Sequence, residues 1–127
     1  IMSIMIKHYL LTSFIVLILD YLYLNLTKDH FAKQIKLIQG SSLKLNILGA
    51  ICCYILLTLG IYYFGIQKKL NYFEMFCLGV FVYGVFDTTN MAIFEKWMIK
   101  SVIIDTLWGG ILFVSTKYLF DKIQHYI

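Results

Sequence analysis

The chain has 127 residues, of which 61% are hydrophobic and 14% charged, whereas soluble domains carry about 25% charged residues. So small a polar share excludes a soluble globular fold of this size and leaves an integral membrane protein. The net charge of +4 comes from 11 lysines with no arginine; without guanidinium forks or a basic stripe this argues against nucleic-acid binding and fits lysines that snorkel to lipid head groups.

Four stretches, 9–26, 45–66, 72–94 and 101–120, are apolar and long enough to cross about 30 Å of hydrocarbon as helices. The first follows Lys7 and His8 and lacks a small-x-small cleavage site, so it is expected to be a retained span rather than a signal peptide. Between the first two spans, Phe31, Ile35 and Ile38 recur at helical spacing, while Lys28, Lys33, Lys36 and Gln39 take the other face. That pattern predicts a short interfacial helix near 29–39, either a connector or a lid, ended by Gly40-Ser41-Ser42. The second and third spans carry Cys52, Cys53 and Cys77 with no C-x-x-C spacing and no nearby histidine, which reads as small packing residues rather than a metal or redox site.

No repeat and no Pro/Ser-rich linker divides the chain, so residues 1–127 are predicted to form a single all-α membrane domain, a bundle of four transmembrane helices. Both termini and the 67–71 loop then share one side of the membrane, called side A; the 27–44 and 95–100 connections lie on side B. Lys7, Lys68, Lys69, Lys117 and Lys122 fall on side A and the other six lysines on side B, a balance that sets no orientation.

Three spans each contain an aspartate: Asp20, Asp87 and Asp105. A mid-helix carboxylate costs roughly 2.5–3.5 kcal/mol on insertion, against a gain of about 0.3–0.6 for each Leu, Ile or Phe. Such a span inserts, but its aspartate needs company inside the bundle. Counted from side B at about 1.5 Å per residue, Asp20, Asp87 and Asp105 lie about 9, 10 and 6 Å deep. Asn25 and Asn46 sit nearer the same surface. Asn90 follows Asp87, and Trp108 follows Asp105, by one helical turn. Asp20, Asn25, Asn46, Tyr83, Asp87, Thr89, Asn90, Asp105 and Trp108 are therefore the candidate lining of a polar pocket open toward side B. The side-A half is almost entirely Leu, Ile, Val and Phe.

The same residues carry a resemblance. "LDYLYL" (19–24), "GVFVYGVFDTTNMA" (79–92), "KW" (96–97) and "DTLWG" (105–109) resemble the motifs of an uncharacterised family of small four-span membrane proteins, domain of unknown function 2177. The family pattern is L-D in the first span, G-x3-Y-x2-Y-D-x-T-N-x-A in the third, W-P in the following loop and D-x2-W-G in the fourth. The resemblance covers nearly the whole chain and marks Asp20, Tyr83, Asp87, Thr89, Asn90, Trp97, Asp105, Trp108 and Gly109. This chain departs from the pattern at Tyr23, where tryptophan is usual, at Phe86 for tyrosine, and at Met98 for the proline. The family has no assigned activity, so the resemblance implies a fold and a set of residues but no reaction.

Three readings of the pocket remain open at the level of sequence. It binds or passes a proton, a cation or a small polar ligand, since intramembrane carboxylates mark such sites and no lysine is placed deep enough to neutralise them. Alternatively the polar residues are interhelical glue. In the third reading an aspartate is the general base of a lipid-modifying enzyme, although no nucleophile elbow, histidine pair or phosphate loop accompanies it. No cofactor is required by the sequence. The expected partners are the lipid bilayer and the pocket's proton, cation or small ligand. Gly49, Gly79, Gly109 and Gly110 are placed to allow close helix approach, within one chain or between the protomers of a homo-oligomer.

Overall fold

The computed structural model describes residues 2–127 and is helical, with no strand among the described residues. Helix α1 spans Met2–Gln39, α2 Ile47–Ile61 with a π-helical continuation at Tyr62–Gln67, α3 Tyr72–Ile93, and α4 Ile99–Ile123. Four stretches are long and apolar enough to cross a membrane, Ser3–Gln39, Ile47–Gln67, Tyr72–Ile93 and Ile99–Tyr126. The chain is thus an all-α, multi-pass integral membrane protein.

Local chemistry sets the helix ends. Asn46 caps α2 by accepting from the Gly49 N–H at 3.0 Å. Asn71 and Glu74 form a reciprocal capping box at the start of α3, with bonds of 2.8 and 2.9 Å. Gly40 closes α1 at φ +76°, a left-handed conformation suited to glycine, and donates its N–H to the Lys36 carbonyl.

The expected separate interfacial helix near 29–39 does not exist. Those residues are the last turns of α1, whose 38 residues make a rod about 57 Å long, well beyond the roughly 30 Å of hydrocarbon. No Gly or Pro interrupts the chain between Leu26 and Gln39, and the amphipathic face has a protein surface to lie on. Gln34, fully buried, donates to the Lys96 carbonyl and accepts from the Met98 N–H and the Ser101 hydroxyl. His30 bonds Ser101 Oγ at 2.8 Å. The helix therefore runs on past the membrane surface, fastened to the α3–α4 loop and the first turn of α4.

The bundle buries both apolar and polar side chains and exposes an apolar outer face. From α1, Thr12, Val16, Asp20 and Tyr23 face inward at three- and four-residue steps and Gln34 about three turns further on, while Leu10, Phe14, Leu17, Ile18 and Leu22 are exposed. An apolar core of Val16, Leu57, Ile61, Met75, Leu112 and Phe113 fills the side-A half. The most extensive packing is between α3 and α4; α1 packs on α4 and on α2. Helices α2 and α3 scarcely touch along their lengths, and meet near side A, where Met75 lies against Gly65 of the π-helical turn. Lys117 is buried at that same end, donating to the Gly65 carbonyl at 3.0 Å, with Asp121 at 3.5 Å. Its charge is accounted for at the end of the bundle opposite the three intramembrane aspartates.

Candidate functional site

Helices α1 and α4 are antiparallel, and each carries an aspartate followed three residues later by a ring: Asp20 and Tyr23 on α1, Asp105 and Trp108 on α4. Antiparallel packing sets each aspartate opposite the other helix's ring. The Trp108 indole N–H donates to Asp20 Oδ1 at 3.0 Å, and the Tyr23 hydroxyl donates to Asp105 Oδ1 at 2.9 Å. Between these two rungs the rings of Tyr23 and Trp108 stack at 4.6 Å with an interplanar angle of 1°. A third helix joins through Tyr54 of α2, whose hydroxyl donates to Asp20 Oδ2. Asp20 thus has a neutral donor on each oxygen, and at 8% exposure it is almost completely enclosed. Donors of this kind stabilise a carboxylate without a countercharge.

Asp87, from α3, is different. It is 0% exposed, and neither of its carboxylate oxygens has a hydrogen-bond partner among the described residues. Its neighbours are the Asp105 carboxyl and the Trp97 side chain. The Trp97 indole N–H is itself buried and unpaired, so it lies beside Asp87 without meeting normal hydrogen-bond geometry. An orphaned buried carboxyl is rare, because the loss of hydration costs several kcal/mol unless something replaces it.

Of the residues singled out in the sequence, the fold brings Asp20, Tyr83, Asp87, Asp105 and Trp108 together. Tyr83 is half-buried one turn before Asp87, edge-on to Phe113 at 6.5 Å. Asn25 is exposed and donates to the Tyr21 carbonyl of its own helix. Asn46 is exposed and occupied as the α2 cap. Thr89 is exposed, and Asn90 half-buried. Beyond the candidate pocket lining, the cluster takes in Tyr23 and Tyr54, together with Trp97, which the family resemblance already marks. The first was signalled by the repeated Asp-x-x-aromatic spacing on α1 and α4; nothing in the sequence pairs Tyr54 with Asp20, because that contact depends on how α2 is rotated. Among the described residues, no group of three or more His, Cys, Asp or Glu side chains is arranged to hold a metal ion.

Four helices long and apolar enough to cross a membrane place this chain among polytopic integral membrane proteins. The model of a family described as "Predicted membrane protein (DUF2177)" matches residues 5–119, and the chain belongs to that family. No curated protein and no solved structure matches it.

Proposed function

We propose that the Asp87–Asp105 pair is an exchangeable binding site in the membrane interior that holds a proton, with a small cation as the alternative occupant, and that the protein acts by binding or passing it. The observation that carries this reading is Asp87, fully buried with both oxygens unpartnered beside a second carboxyl. Two adjacent carboxylates in so dry a place cannot both keep their charge without a counterion. Lys117 is engaged at the other end of the bundle. A proton shared between Asp87 and Asp105 removes one charge and supplies the missing hydrogen bond at once. It is favoured over Mg²⁺ or Ca²⁺, which take six or more oxygen ligands, more than this pair offers.

Interhelical glue has its own support at the neighbouring rungs. Asp20, Tyr54 and Trp108 satisfy one another, and Tyr23 satisfies one oxygen of Asp105. The reading therefore divides the cluster: Asp20 and its donors hold α1, α2 and α4 in register, and Asp87 with Asp105 is where an occupant binds.

The test is infrared spectroscopy of metal-free protein in bilayers. A protonated-carboxyl stretching band near neutral pH should vanish in Asp87→Asn and survive in Asp20→Asn. Absence of the band from the native protein at neutral and mildly acidic pH would sink the proton reading. Stabilisation by added cation that Asp87→Asn abolishes would then show the alternative occupant.

A further inference from the structure

The gap left between α2 and α3 is a cleft of about 380 Å³ running down the side of the bundle. Its walls are apolar: Leu56 and Leu57 on α2, Leu78, Val82 and Phe86 on α3. Both Leu56 and Val82 are exposed, so the mouth faces the lipid phase rather than water. At roughly 30 Å³ for a water-sized group, that volume takes about a dozen methylenes. Leu78 to Phe86 extends about 12 Å along α3, so the space is long rather than round.

One ionisable carboxyl breaks the apolar lining, and it is Asp105. Behind it stands Asp87, enclosed and unpartnered. No lysine lines the cleft. A molecule resting its chain along these walls would present its head to the Asp105 carboxyl, with Asp87 behind it, and to no cation. Phosphate or carboxylate heads would meet like charge there; an ammonium head would supply both the missing positive charge and a hydrogen bond to the Asp105 carboxyl.

We infer that the α2–α3 cleft is a lateral binding site for a single-chain, lipid-phase amphiphile with a primary ammonium head, its chain lying between Leu57 and Val82 and its head at Asp105, with the enclosed Asp87 behind it. This rests on the proposal that Asp87 and Asp105 form an exchangeable pair, and it names the chemistry that pair receives from the membrane side. Entry is sideways from the bilayer, because the residues at the mouth of the cleft, Leu56 and Val82, are exposed on the flank of the bundle.

Cys53 gives a direct readout, since it is a free, exposed thiol on the cleft wall. In a Cys52→Ser, Cys77→Ser background reconstituted in zwitterionic nanodiscs, its reaction with a lipid-soluble maleimide is timed in the presence of dodecylamine, dodecanol or dodecanoate. Dodecylamine at ten times its half-protecting concentration should slow labelling about tenfold, with dodecanol weaker and dodecanoate without effect. The amine preference should vanish in Asp105→Asn, whose remaining oxygen can still accept from Tyr23, and weaken in Asp87→Asn, which keeps the test decisive if the first variant does not fold. Equal protection by all three heads would show ordinary annular lipid and overturn the inference, as would no protection or a preference retained in whichever variant folds. The infrared carboxyl band is read on the same preparations. A band without head preference overturns the cleft alone, whereas its absence counts against the proton reading.

Discussion

Helix α3 has two flanks, and they are built oppositely. Toward α4 it presents Gly79, whose position faces the Gly109 backbone so closely that a Cβ would overlap it, and Gly110 lets the ring of Phe76 approach in the same way. Toward α2 it presents Leu78, Val82 and Phe86, and the helices stand apart. Two large apolar surfaces would close on each other in water. In lipid they gain nothing by doing so, because acyl chains are as apolar as leucine. Close backbone approach and interhelical hydrogen bonds decide which helices join: the α3–α4 seam has the first and the α1–α4 and α1–α2 contacts have the second. The α2–α3 flank has neither along most of its length.

The hardest way to break this comparison is to put a side chain into the seam. Gly79→Leu has backbone on the opposing side and no flexible neighbour alone to displace, so α3 must move away from α4. The expected loss is about 3 kcal/mol or more of bundle stability, with α3 and the Asp87 carboxyl displaced together. Reversible unfolding in bilayers measures it. Wild-type stability in this variant would mean that the seam is looser than its glycines imply.

The polar rungs come next in size. Trp108→Phe removes the donor to Asp20 and Tyr23→Phe the donor to Asp105, while both keep a ring in the stack. Each is expected to cost about 0.6 kcal/mol, at most about 1.7, and the pair should couple by at least about 0.5 kcal/mol because the rings touch. A double-mutant cycle with additive losses would show that the rungs act separately, and that the stacked rings do not tie them into one lock.

Much of this was legible in the chain. The number of spans follows from four apolar runs, and the common depth of Asp20, Asp87 and Asp105 follows from counting along antiparallel helices. What depth cannot show is rotation about the helix axis. Asn25 and Asn46 have suitable depths, but face away and are occupied by their own backbone. Tyr54 has no motif and becomes a donor to Asp20 through the orientation of α2. The length of α1 was hidden for another reason: the 29–39 stretch has the pattern of a surface helix, and whether such a face lies on lipid head groups or on a protein loop depends on Gln34 finding the Lys96 carbonyl and the Met98 N–H. Those partners are more than 60 residues away, beyond any local pattern.

The smallest expected effect sharpens the contrast most. Gly60, on the α2 side of the cleft, has no atom within 4 Å of where a Cβ would sit, so Gly60→Leu adds as much volume as Gly79→Leu and does so on a helix of the same bundle. If the cleft is open to lipid, the new side chain displaces acyl chain rather than protein. The change in unfolding free energy should then stay within about 0.5 kcal/mol, the range of substitutions that touch no packed feature. The same leucine narrows the space beside Cys53, so maleimide access should fall while stability does not. A loss comparable with that of Gly79→Leu would mean that α2 and α3 close on one another in the bilayer, and the difference between the two flanks of α3 would disappear with it.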